Sequence, residues 1–208
     1  IKVSERELHY TLVKAADSLP TAVFVHGSPG SSSNFIQYAK DNRLLSTYNV
    51  LLVDRPGFGY SGFGDSEPLL SKQATLMNGL LDSLEITQRV LVGHSLGGPI
   101  ICQMAMDAPK TTKALLIVAG SVSAELEPKE PWRKPLSSRA LRWILPKSFR
   151  TSNDGILETK GELIRMEKDW SIVFCKVTIL QGTKDRLVPY ENAIYAERKL
   201  VNAKEVKV

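Results

Sequence analysis

An α/β fold is what this sequence predicts: a mostly parallel central sheet with helices on both faces and an inserted helical cap. Three observations lead there. Continuous apolar runs such as Thr21–Val25, Asn49–Val53 and Lys113–Val118 read as strands buried on both faces. Between them lie longer stretches whose apolar residues recur at helical spacing. One segment, 121–169, breaks the alternation and carries no strand signal. The core therefore reads as residues 1–120 and 170–208, with 121–169 as the cap.

The elements follow in order. Leu8–Val13 reads as strand, and Thr21–Val25 as a buried strand ending at His26-Gly27. Ser31 to Asn34 offers N-cap residues for a helix running to about Leu45. Asn49–Val53 is the next strand, cut off by Asp54-Arg55-Pro56-Gly57. From Pro68 to Leu84 the residues Leu70, Met77, Leu80, Leu81 and Leu84 share a helix face. Arg89–Val92 is a strand, Pro99–Ala108 a helix, and Lys113–Val118 a strand. Pro128, Pro131, Pro135, Pro146 and Gly155 punctuate the cap, which predicts several short helices. The last unit resumes at Ile172, with strand Val177–Leu180, helix Pro189–Val201 and a final strand opening at Glu205–Val208.

Composition narrows the function classes. Of 208 residues, 43% are hydrophobic and 24% charged, the balance of a globular chain, which excludes disordered and fibrous classes. No apolar run approaches the roughly 18 residues of a membrane-spanning helix. The sequence opens at Ile1 without a targeting pattern. Cys102 and Cys175 sit in apolar periodic surroundings and read as two buried free thiols. A reducing, cytoplasmic compartment fits that reading.

The chemistry lies in three motifs. Gly93-His94-Ser95-Leu96-Gly97 fits Gly-x-Ser-x-Gly, with a strand before it and a helix after it. A nucleophile on so sharp a turn needs small neighbours, because side chains at Gly93 and Gly97 would strike the adjoining strand and helix. Gly98 adds room, and Pro99 suits the first helical turn. The helix N-terminus favours negative charge near Ser95. Acyl transfer also needs an oxyanion hole. One donor is the backbone N–H of Leu96; the loop His26-Gly27-Ser28-Pro29-Gly30 supplies the other, from Ser28. The acid is Asp185, in the loop Gly182-Thr183-Lys184-Asp185 at the C-terminal edge of the sheet, where open α/β sheets bind ligands. Gly57-Phe58-Gly59-Tyr60-Ser61-Gly62 matches the dinucleotide fingerprint by letter only, because no helix opens after it.

Together with Asp54-Arg55-Pro56-Gly57-Phe58-Gly59-Tyr60-Ser61, these motifs resemble the α/β-hydrolase superfamily, in its serine branch with a helical lid. The resemblance covers essentially the whole chain. It implies a Ser–His–Asp triad under the cap, no cofactor and no metal, and hydrolysis of a small, largely apolar ester or related acyl compound. Haloalkane dehalogenases and epoxide hydrolases resemble it less, since they carry Asp where this chain has Ser95. Cofactor-free haloperoxidases, carbon–carbon bond hydrolases and proline iminopeptidases share the motifs. A non-catalytic ligand-binding protein of the same fold is the reading from another class.

The base is missing. The family places a His after the last strand, and Arg186–Val208 contains none. His26 belongs to the oxyanion loop, His94 points away from the site, and His9 lies on an early strand. The expectation is that the expressed chain continues past Val208 with a His shortly after it. Between Lys129 and Arg150 stand seven basic residues (Lys129, Arg133, Lys134, Arg139, Arg142, Lys147, Arg150) and one acid, Glu130. With Trp132, Leu141, Trp143, Ile144, Leu145 and Phe149 interleaved, the segment reads as amphipathic, its basic face solvated and its apolar face over the site. Attraction of an anionic substrate or a membrane surface is the alternative. No nucleic-acid recognition motif accompanies the charge.

Overall fold

The structure, a computed structural model, describes residues 1–138, 141 and 143–207. Arg139 and Arg142 of the basic segment, and Val208 of the last predicted strand, lie outside the described residues. Strands β1 (Lys2–Val3) and β2 (Arg6–Glu7) form a small antiparallel hairpin. The main sheet has seven strands: β3 (Tyr10–Val13), β4 (Thr21–Val25), β5 (Asn49–Val53), β6 (Arg89–His94), β7 (Thr112–Val118), β8 (Lys176–Gln181) and β9 (Ala203–Lys207). Their spatial order is β3-β5-β4-β6-β7-β8-β9, with β3 antiparallel to β5 and every other pair parallel.

Every residue of β4 and β5 is buried, as central parallel strands require. Asn49 opens β5 in that interior without an orphaned group. Its Oδ1 accepts from the N–H groups of Ala15 and Ala16, and its Nδ2 donates to the carbonyls of Ala16 and Leu19. On one face of the sheet, Leu51, Leu91, Ile117 and Ile179 pack under α2 (Leu70–Ser83), α3 (Gly97–Asp107) and α6 (Glu191–Lys199). On the other, Phe24, Leu52 and Val92 meet Phe35 and Leu44. Beside them a groove of about 760 Å³ runs past Leu116, Val118, Thr178 and Leu180.

Three expectations need correction. Residues 31–45 are not one helix but two 3₁₀ turns (Ser32–Phe35 and Tyr38–Lys40) and the single turn α1 (Asn42–Leu45). Asp41 breaks the run, because its extended backbone lets the carboxylate accept from the N–H groups of Arg43 and Leu44. The segment between β7 and β8 holds a short α4 (Arg133–Leu136), but its main element is the twenty-residue α5 (Lys147–Met166), with Gly155 inside it. Its buried face is small and polar at first (Thr151, Ser152, Gly155, Thr159) and ends in Glu162 and the core residues Leu163 and Met166, whereas Trp132, Leu141, Trp143 and Ile144 are exposed rather than turned inward. Small residues let the helix approach the loops after β4, β5 and β6 closely. Glu162 accepts from the N–H and hydroxyl of Ser71 at 2.9 and 2.8 Å, capping α2, whose own N-cap residue Leu69 offers no side chain. The third correction is Cys175, which is half-buried; only Cys102 is fully enclosed, and burial raises its thiol pKa.

Candidate active site

Strand β6 ends at His94 and α3 begins at Gly97, so Ser95 and Leu96 make the whole turn. Ser95 has φ +53°, a left-handed conformation that costs a residue with a Cβ about 1–2 kcal/mol. Neighbouring backbone holds it there. Its N–H donates to the Val118 carbonyl at 3.0 Å, and its carbonyl accepts from Gly98 and Ser121. A Cβ on Gly93 would lie 2.4 Å from the Gly97 oxygen, and one on Gly97 would lie 2.3 Å from the Val25 oxygen. The turn is this sharp because strand and helix touch through glycine.

The loop after β4 packs against this turn. A Cβ on Gly27 would stand 2.9 Å from Ser95 Cβ, so Ser28 and Leu96 flank Ser95 from two sides. Among the described residues, neither the Ser28 nor the Leu96 N–H donates to another group. Helix α5 lies across the same place. Ser28 Oγ donates to Ser152 Oγ at 3.3 Å, and a Cβ on Gly155 would lie 3.9 Å from Leu96 Cδ2.

Asp185 follows β8, which is separated from β6 by β7. It is half-buried, and its Oδ1 accepts from the N–H groups of Leu187 and Val188 at 2.9 and 3.0 Å. The three histidines are placed differently. His26 is fully buried with both ring nitrogens engaged, Nδ1 on the Gly27 carbonyl and Nε2 on the Arg55 N–H. Burial, helped by the Arg55 charge, lowers its pKa to about 3, so the ring is neutral. His94 lines the groove on the far face of the sheet. Burial lowers its pKa, and the Asp185 carboxylate opposes that shift. His9 pairs with Asp54 at 2.9 Å. Among the described residues, no histidine hydrogen-bonds to Ser95 or Asp185.

Asp54 organises the loop beneath. Its buried carboxylate accepts from Ser32 N at 2.7 Å, Tyr60 N at 3.0 Å and His9 Nδ1. A side chain on Gly59 would land 2.2 Å from that carboxylate, and the backbone there has φ +51°. Burial alone would raise the Asp54 pKa, but the donors from Ser32, Tyr60 and His9 outweigh it and hold it below the ordinary carboxylate value. A depressed folded pKa gives stability that is present above the unfolded pKa and lost as pH falls through the folded one. Asp54→Asn is therefore expected to cost about 1–3 kcal/mol at neutral pH. Its melting temperature should also fall less steeply than the wild type's below about pH 4. Parallel melting curves between pH 3 and 7 would refute the assignment.

Several residues here were not singled out by sequence reasoning. Arg55 and Gln73 lie under the loop after β4. Asn192, at 1% exposure, accepts from Val122 and Ser123 N–H at 3.0 Å each and so ties the β7 exit to the Asp185 side. Only Arg55 stood inside a motif, and its side-chain partner is 28 positions away. Among the described residues, no cluster of three or more His, Cys, Asp or Glu could hold a metal ion, and no helix is long and apolar enough to cross a membrane.

Comparison with known proteins adds the following. A family model described as alpha/beta hydrolase fold matches residues 20–156. The sn-1-specific diacylglycerol lipase ABHD11 of Mus musculus is 34% identical over 111 residues, covering 53% of this chain and 36% of that protein. The pimeloyl-[acyl-carrier protein] methyl ester esterase of Shewanella oneidensis is 33% identical over 113 residues, 54% of this chain and 40% of that one. The chain thus spans less than half the length of these curated relatives. Among solved structures, the α/β hydrolase MGS-M2 from a deep-sea metagenome library superposes with TM-score 0.77 at 19% identity, over 99% of this chain and 87% of that one. An esterase from Exiguobacterium antarcticum gives 0.72 at 16%, over 97% and 87%. At such identities the superpositions speak for the fold alone.

Proposed function

We propose, from the premise that this chain belongs to the α/β-hydrolase family, that it is a cofactor-independent serine hydrolase of a small, largely apolar ester or related acyl compound. The observation that carries this is Ser95, held at positive φ between two undonated backbone N–H groups. Ser95 Oγ attacks the acyl carbon as its proton passes to an imidazole. The carbonyl oxygen takes up the negative charge facing the N–H groups of Ser28 and Leu96, each worth about 3–4 kcal/mol. Collapse expels the alcohol, which takes the proton from the imidazolium, and water then releases the acid by the same steps. Asp185 orients the imidazole. Because His9 and His26 bond elsewhere and His94, among the described residues, hydrogen-bonds to neither Ser95 nor Asp185, the reading assigns the base to a histidine outside these residues. Segment 121–169 serves as the cap, and small Ser152 and Gly155 facing the elbow favour a small acyl group.

Two names among the relatives, lipase and methyl ester esterase, accord with an ester substrate, while a proline iminopeptidase among them keeps an iminopeptidase-like activity as an alternative. The second reading is a ligand-binding protein without catalysis. It draws on one fact: among the described residues, no histidine hydrogen-bonds to Ser95 or Asp185. A fluorophosphonate probe on the full-length protein, followed by peptide mass spectrometry, separates the two. Label on Ser95, absent in Ser95→Ala, is the expected result; an unlabelled Ser95 leaves only the second reading.

A further inference from the structure

Two buried donors converge on one carbonyl oxygen beside Ser95. His26 Nδ1 reaches the Gly27 oxygen at 2.8 Å and Arg55 Nη2 reaches it at 2.9 Å. The donors are interlocked. The Arg55 backbone N–H donates to His26 Nε2 at 3.0 Å, which leaves Nδ1 as the nitrogen that carries the proton. Arg55 Nη1 donates to Gln73 Oε1 at 3.0 Å, and Gln73 Nε2 donates to the Glu67 carbonyl at 2.7 Å, so the amide faces one way. The guanidinium also lies 4.5 Å from the Phe58 ring centre.

Arg55 is fully enclosed, and among the described residues it meets no carboxylate. Burial lowers its pKa to about 9, a measure of what its desolvation costs. Its hydrogen bonds instead fix a single peptide plane. In a trans peptide the C=O and the following N–H point in opposite directions. With the Gly27 oxygen held inward by two donors, the Ser28 N–H is turned outward, and Gly27 itself lies against Ser95.

We propose that Arg55, braced by His26 and Gln73, is a positioning residue that aims the Ser28 N–H as an oxyanion donor by holding the Gly27 carbonyl. The proposal rests on the reading of Ser95 as nucleophile. Arg55 touches no substrate; it acts through the peptide.

The test compares Arg55→Met, Arg55→Lys and the milder Gln73→Leu in the full-length protein. Mis-aiming one donor should lower kcat on a short-chain p-nitrophenyl ester by about 10- to 100-fold in Arg55→Met, with KM within about twofold. Affinity for a trifluoromethyl ketone, whose adduct carries an oxyanion, should fall by a similar factor. Arg55→Lys should recover part of both, and Gln73→Leu should lose less. A variant that loses only melting temperature, with kcat and ketone affinity within twofold, overturns the proposal. A crystal structure of Arg55→Met, or of Gln73→Leu if the former does not fold, gives a readout independent of turnover. A rotated Gly27–Ser28 peptide supports the proposal, and an unchanged one overturns it. Failure of the probe to label Ser95 counts against the hydrolase reading and leaves this structural result separate.

Discussion

Ester turnover by the full-length protein is expected to fall by about 10⁶ when Ser95 becomes Ala. In a serine-protease triad, loss of the nucleophile or of the base costs about that much, while loss of the acid costs about 10⁴. Asp185→Asn should therefore be the milder variant, with KM little changed in both. If the base lies outside residues 1–208, as proposed, the same arithmetic applies to those residues assayed alone. Their turnover should lie close to that of Ser95→Ala. Free imidazole is then a diagnostic reagent. It should raise acylation of the wild-type residues 1–208 and leave Ser95→Ala unmoved. A Ser95→Ala protein that keeps more than about 1% of kcat would sink the assignment. Equal stimulation of both proteins by imidazole would do the same.

The parts of this site legible in the sequence are those fixed by backbone sterics and by burial on two faces. Thr21–Val25 and Asn49–Val53 read as strands because five consecutive buried residues leave no room for alternation. Gly93 and Gly97 carry their reason in their lack of a side chain, and the structure supplies the atoms they avoid. What escaped the sequence depends on partners far along the chain. The break at Asp41 is a local contest between a carboxylate and the helix ladder, which composition does not decide. The interior face of helix α5 is apolar only towards its end, at Leu163 and Met166. Thr151, Ser152, Thr159 and Glu162 are buried through contacts with the loops and with α2, while the tryptophans expected inside face out. Apolar pattern finds the end of a helix that packs on a hydrophobic core, but not the stretch that packs on hydrogen-bonding loops. Arg55 escaped for the same reason, since nothing near it in sequence announces a carbonyl 28 residues earlier.

Gly97→Ala is expected to cost about 3–5 kcal/mol, a large share of the roughly 5–15 kcal/mol that holds a domain folded. Its methyl group would lie 2.3 Å from the Val25 oxygen and 3.0 Å from the His26 oxygen. Neither can retreat: β4 is paired on both sides, with β5 and β6, and every one of its residues is buried. Gly161, inside α5, is the internal control, because a Cβ there meets nothing within 4 Å. Gly161→Ala should add about 0.5–1 kcal/mol through helix propensity alone. Urea titration of both proteins gives the comparison, and a cost below about 1 kcal/mol for Gly97→Ala would mean that the elbow is not packed this tightly. Ser95 itself supplies the complementary case. Ser95→Gly removes the left-handed penalty and should be more stable than Ser95→Ala by about 1 kcal/mol, although neither has a nucleophile. Strain relieved only by discarding the hydroxyl is what a turn shaped to present that hydroxyl should show. Equal stability of the two variants would place the φ of +53° among the ordinary features of a strand–helix joint.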